Sequence, residues 1–297
     1  MTANAMIETE SRLEDFERYV VVLAALVCAG ALVLLSLLGP LGLGLIAYKT
    51  SQSALYQVEG QDLVNLLFIT PVCLIGGILH LLKRENSKYF LILVPIYTVL
   101  YTGYAYGVGM EWSNSQYTGN SENYFWLYLI LMVGGLILLL SSLSMFTEDD
   151  APDFNPRNLR IYIGLVAFFL SAFALMWFRE IIDVVTTGNT STGSYLESPT
   201  VFWVVKYLDT GFTIPLGFIG LYLLATRPKK AYPLMLLFFG FFITLSTAVF
   251  AMAIVMLVNG DPTLQVEALA IFPVLMILAY TGFFYLIKSK ISRFNKS

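Results

Sequence analysis

The chain has 297 residues, of which 58 % are hydrophobic and 12 % charged, with a net charge of −3 and a mean hydropathy of +0.75. Soluble domains carry about 25 % charged residues, so this composition excludes a soluble globule and describes an all-α polytopic membrane protein. A net negative charge without a basic cluster beyond what topology requires gives no basis for nucleic-acid binding.

Eight apolar segments, each near the ~20 residues that cross ~30 Å of hydrocarbon, are predicted at 19–41, 62–82, 89–110, 124–146, 161–183, 203–225, 233–257 and 266–288. The eighteen residues before the first are polar and rich in Glu, so that segment reads as an uncleaved signal anchor. Its apolar character runs on to Tyr48 past Gly39-Pro40, a pair able to kink or end a helix. Cys28 and Cys73 fall near mid-membrane in neighbouring segments and read as small packed hydrophobes.

Basic residues set the orientation. Arg12, Arg18, Lys83, Arg84, Lys88, Arg157, Arg160, Arg227, Lys229, Lys230, Lys288, Lys290, Arg293 and Lys296 lie on one side, and only Lys49 lies on the other. Both termini are therefore expected in the cytoplasm, as an even number of spans requires. The stretch Thr147 to Asn158 reads as a plain cytoplasmic linker, and Asn189-Thr190-Ser191 as a sequon in an outside loop.

An offset of 144 residues places Phe68 on Phe212, Pro71 on Pro215, Ile75 on Ile219, Gly76 on Gly220, Leu79 on Leu223 and Lys83 on Arg227. This spacing predicts two four-helix halves, 1–146 and 160–297, joined by a linker at 147–159. Four spans return the chain to its starting side, so the halves would share an orientation about an axis along the membrane normal, a 4+4 parallel repeat. The same offset lays Asp62 on Lys206 and Asn65 on Asp209, which predicts that these four polar residues face each other.

Fifteen of the seventeen Lys and Arg residues sit at or between segment ends; Arg179 and Lys206 lie inside segments with carboxylates one turn away. Charge in hydrocarbon costs roughly 2.5–3.5 kcal/mol, which makes such residues candidates for function. Asp62, Asn65, Lys206 and Asp209 open the second and sixth segments, and Arg179, Glu180 and Asp183 close the fifth. Tyr101, Tyr104, Tyr106 and Glu111-Trp112 end the third. The spacings Asp62/Asn65, Lys206/Asp209 and Arg179/Asp183 each keep one helical face. The expected site is an outward-facing pocket whose acidic balance suits a small polar or cationic species, with Asp62, Asn65, Lys206 and Asp209 as ligand or gating residues. Arg179, Glu180, Asp183, Tyr104 and Glu111 would support it.

Four readings stay open for this cluster: charges that snorkel to the headgroups beside Tyr and Trp of an ordinary interfacial belt, a transporter or channel, a sensor or accessory subunit that moves nothing, and an enzyme at the outer leaflet. Enzyme signatures are weak. His80 is the one histidine, so no His-based metal cluster can form, and no GxSxG, HExxH or phosphate-binding loop appears. Lys206 lies too near a segment end, and in too many spans, for a retinal Schiff base. The sequence names no cofactor, no oligomeric state and no partner besides the bilayer. A transport path would need polar residues through the inner half, where only Ser141, Ser142, Ser144, Thr244, Ser246 and Thr247 qualify.

The stretch Gln61-Asp62-Leu63-Val64-Asn65-Leu66, followed by Pro71 and by Tyr101, Tyr104, Tyr106 and Gly107, resembles a group of uncharacterised polytopic, eight-helix membrane proteins of bacteria and archaea. The resemblance covers the second to fourth segments, about a third of the chain. It implies a prokaryotic plasma membrane and names no activity.

Overall fold

The computed structural model describes residues 3–188, Thr190, Tyr195 and 198–294. The sequon at Asn189 lies outside the described residues. Among those residues the chain is helical without a strand, and seven helices are long and apolar enough to cross a membrane. Exposed apolar side chains such as Leu23, Leu67, Phe168, Leu175 and Tyr222 cover the bundle, as a hydrocarbon solvent allows and water does not.

Helix α1 (Ala3–Leu38) ends at Gly39-Pro40. The apolar stretch beyond it is a loop folded back on the helix end, with Leu43 N–H on the Leu37 carbonyl and Ile46 N–H on the Leu38 carbonyl, both at 2.8 Å. The second crossing is α2 (Gln52–Val64), a π-helical turn at Asn65–Ile69 and α3 (Thr70–Leu81) in one continuous rod. Ser51 caps its start, accepting from Ala54 N–H at 3.2 Å. Proline cannot donate to the helical ladder and crowds the carbonyl a turn back. Here the strain before Pro71 is taken up by the wider π turn.

The predicted third span is not one helix. A short α4 (Ser87–Leu91) breaks ahead of Pro95, and the chain resumes as a π-helical stretch, Tyr97–Tyr104, and α5 (Ala105–Val108). Next come α6 (Phe125–Ser144) and α7 (Pro156–Thr187), the latter capped by Asn155. After α7 comes a rod of the same make-up as α2 and α3: α8 (Pro199–Leu208), a π turn at Asp209–Thr213, and α9 (Ile214–Thr226) carrying Pro215. Helices α10 (Pro228–Val258) and α11 (Ala268–Phe294) follow, and both stay continuous through an internal proline, Pro233 and Pro273. Pro273 therefore does not interrupt the last span.

The core is organised by α10, whose side chains are buried along most of its length. It packs on α2, α9 and α11 and touches the π-helical stretch. Glycine allows two of these approaches: a Cβ on Gly60 would come within 2.5 Å of Met252 Cα, and one on Gly240 within 2.9 Å of Leu93 Cα at the break in the third segment. Helix α1 packs on α3 and α6, and a Cβ on Gly134 would reach 2.4 Å from Cys28 Sγ. Cys28 and Cys73 are free and buried.

The two ends of the bundle differ. At the loop end, the chain before α2 is stitched to the loop before α6: Asn120 Oδ1 accepts from Ala47 N–H at 2.9 Å, and Lys49 pairs with Glu122 at 2.5 Å. At the opposite, basic end, the expected plain linker is docked. A 3-10 turn at Glu148–Asp150 brings Asp150 within 2.6 Å of Lys88 Nζ, over the ring of Phe146. Neither partner is more than 14 % exposed.

Candidate functional site

Asp62 lies one residue pair before the end of α2 and has no exposed surface. Three donors converge on its Oδ1: Tyr106 hydroxyl at 3.1 Å, Ser36 hydroxyl from α1 at 3.3 Å, and Asn65 Nδ2 at 3.5 Å. Oδ2 has no hydrogen-bond partner, and neither has Asn65 Oδ1, although Asn65 is also fully buried. Unpaired buried oxygens of this kind are costly. Gly39 leaves room beside Oδ2, since a Cβ there would stand 3.0 Å from it.

The second centre surrounds Lys206 and Asp209 at the end of α8. Lys206 is 5 % exposed, and its Nζ lies 2.7 Å from Glu180 Oε2 on α7. The ammonium also faces the rings of Phe202 at 4.0 Å and Trp177 at 4.1 Å, cation–π contacts that partly replace lost hydration. Asp209, 3 % exposed, accepts from Tyr101 hydroxyl on Oδ1 and from Trp177 Nε1 at 2.9 Å on Oδ2, with Thr213 hydroxyl 3.4 Å from Oδ1. Both carboxylate oxygens are thus satisfied, unlike those of Asp62.

The third segment separates the two centres. Tyr106, from α5, serves Asp62, and Tyr101, from the π-helical stretch before it, serves Asp209. Gln61 Nε2 donates to the Tyr101 carbonyl at 2.6 Å, and Tyr97 stacks on Tyr101 with centroids 6.2 Å apart. No hydrogen bond or ion pair joins Asp62 to Lys206 or Asp209 among the described residues. The expectation that these four residues face one another is corrected accordingly: each centre draws its partners from the helix before it and from the third segment.

Asp62, Asn65, Lys206 and Asp209 are also buried, each 5 % exposed or less, where an open outward pocket was expected. Glu111 stands apart from them, at the start of α8. Its carboxylate accepts from Thr200 N–H at 2.6 Å and Thr200 hydroxyl at 2.8 Å, capping the start of α8 where the helix dipole favours negative charge. Glu111→Ala should cost about 1 kcal/mol, the usual worth of an N-cap. Thermal melting in detergent would measure it, and an unchanged melting temperature would contradict the capping role. Thr50, Ser51 and Ser198 hydroxyls interlock beside it.

Other predicted residues stay at the periphery. Arg179 is exposed, and its expected partner Asp183 takes a hydrogen bond from Thr187 at 3.3 Å. Tyr104 is half-buried without a role at either centre. Only Glu180 of the α7 trio enters the core.

Toward the basic end the hydroxyls named above form no connected polar path. The hydroxyls of Ser142, Ser144, Thr244, Ser246 and Thr247 all turn back to carbonyls of their own helices. His80 contacts Ser87 at 3.3 Å. Among the described residues no group of three His, Cys, Asp or Glu could hold a metal ion.

Sequence reasoning missed Ser36 and Trp177 and placed Tyr101 and Tyr106 in an interfacial belt. A signal for Ser36 existed, because 144 residues on from it stands Glu180: the Ser36–Asp62 contact and the Glu180–Lys206 pair occupy the same places under that offset. Nothing comparable pointed to Trp177. No family model, curated protein or solved structure matches this chain.

Proposed function

We propose that this is a prokaryotic plasma-membrane protein of eight crossings with both termini in the cytoplasm. The broken third segment supplies the eighth crossing, and the loop end faces outward. It is built as two parallel four-segment halves, and it transports a small polar or cationic species through a core seen in its occluded state. The observation that carries this reading is the pair of buried charged centres, Asp62 and Lys206–Asp209, each beside a π turn and each residue 5 % exposed or less. A bundle held only by packing has no use for unpaired carboxylate oxygen in hydrocarbon.

The repeat is supported by three coincidences at the same 144-residue offset. The π turns Asn65–Ile69 and Asp209–Thr213 correspond residue for residue. The pairs Ser36–Asp62 and Glu180–Lys206 correspond as well. Packing of α1 on α3 is matched by α7 on α9, and that of α3 on α4 by α9 on α10. Two similar halves meeting around a buried polar core is the arrangement in which rocking of one half against the other alternates access.

A non-transporting sensor or accessory subunit is the second reading. It is favoured by the basic half, where the hydroxyls of Ser142, Ser144, Thr244 and Ser246 bond to carbonyls of their own helices. Uptake of monovalent cations and of protons into vesicles containing the purified protein separates the two: uptake supports transport, and its absence leaves the sensor. Topology has its own test. With both native cysteines buried, an impermeant maleimide applied to whole cells should label Ser115→Cys and spare Asp153→Cys, and the reverse pattern would invert the orientation.

A further inference from the structure

The two centres solve the same problem differently. In the second half the buried carboxylate of Asp209 has donors on both oxygens, and the Lys206 ammonium acts on it. In the first half the position equivalent to Lys206 is itself the carboxylate, Asp62, and the positions equivalent to Glu180 and Asp209 are the neutral Ser36 and Asn65. All three donors to Asp62 crowd Oδ1, while Oδ2 and Asn65 Oδ1 have none.

Among the described residues no basic residue compensates. The titratable groups that act on Asp62 are Glu59 on its own helix, Tyr48 from the loop after α1, Tyr97 and Tyr106 from the third segment, and Tyr128 from α6. They are acidic or neutral. An isolated ionised carboxylate at zero exposure costs several kcal/mol, so the first half is short of one positive charge. Pro71 leaves a carbonyl near the adjoining π turn without its backbone donor, and such carbonyls are the other ligand class that binds dehydrated alkali ions in membrane helices.

We infer that Asp62 Oδ2, with Asn65 Oδ1 one turn on, binds one monovalent positive charge from solution, a proton or a bare alkali ion, in the place where the second half carries Lys206. Charge from outside and charge from a tethered ammonium thereby complete equivalent centres. The inference shares its buried core with the proposed function, yet it holds whether or not the bound charge is moved.

Dicyclohexylcarbodiimide tests it on the unaltered protein, because this apolar reagent enters membranes and couples to protonated, uncompensated carboxyls. Peptide mass spectrometry after labelling in detergent should find the adduct on Asp62 and little on Asp209. Sodium ions that lower the adduct several-fold at constant pH identify an alkali-ion site. Lowering by alkaline buffer alone, with sodium without effect, identifies a proton site. An Asp62 that is unlabelled, or labelled equally under all these conditions, overturns the inference. Asp62→Asn should abolish the adduct and any sodium- or pH-dependent shift in melting temperature, and a shift that persists in this variant also overturns it. Vesicle uptake separates this from the wider reading: protected labelling without uptake leaves the site and removes transport, whereas uptake that survives Asp62→Asn does the opposite.

Discussion

Lys206→Met should destabilise the protein by about 3 kcal/mol, the lower end of the roughly 3–5 kcal/mol seen when one member of a buried ion pair is removed. Methionine preserves the apolar stem against Trp177 and Phe202, so the loss is one of charge. Glu180, with its side chain 38 % exposed, can recover hydration. Asp209 cannot, and it is left as a buried carboxylate with hydrogen bonds but no cation. The double variant Lys206→Met/Asp209→Asn should therefore be more stable than Lys206→Met alone, although it carries two substitutions. Unfolding in mixed micelles measures both. A neutral Lys206→Met would mean that the ammonium reaches the headgroup region and contributes nothing to the core.

Gly60→Ala should cost about 3 kcal/mol, the upper end of the roughly 1–3 kcal/mol expected for overpacking. The new Cβ would meet Met252 Cα at 2.5 Å, Met252 N at 2.6 Å and Ala251 C at 2.8 Å. These are backbone atoms, which cannot rotate aside, so α2 and α10 must separate and disturb Gln61 and Asp62 next along the helix. Gly30→Ala in α1 is the matched control: nothing lies within 4 Å of its added Cβ, and the higher helix propensity of alanine, worth up to about 1 kcal/mol, should show as unchanged or raised stability. Equal effects at the two positions would mean that the close approach of α2 and α10 is not part of the native fold.

Much of the architecture was legible because it depends on local chemistry. The ends of α6, α9 and α10 follow from where apolar runs stop, and the Pro71 and Pro215 correspondence led to two π turns at one offset. Hydropathy outlined segment 89–110 but counts only apolar residues, so it is blind to the π-helical geometry that follows Pro95 in a segment supported on all sides by α3, α6 and α10. The linker at 147–159 looked inert because the Lys88–Asp150 pair joins residues 62 positions apart. Glu111 looked like a ligand because its true partner, the start of α8, is 89 residues away.

The sequence by itself determined that this chain belongs in a membrane and where most of its apolar helices run, since a stretch of ~20 apolar residues has one low-energy fate in lipid. Only the tertiary structure decided which of those residues meet. Helix faces in lipid are apolar almost all round, so their rotation and neighbours are set by close-packed glycines and a few buried hydrogen bonds rather than by a hydrophobic stripe. That packing gave Lys206 to Glu180 and Asp209 to Tyr101 and Trp177, and left Asp62 with one oxygen unserved.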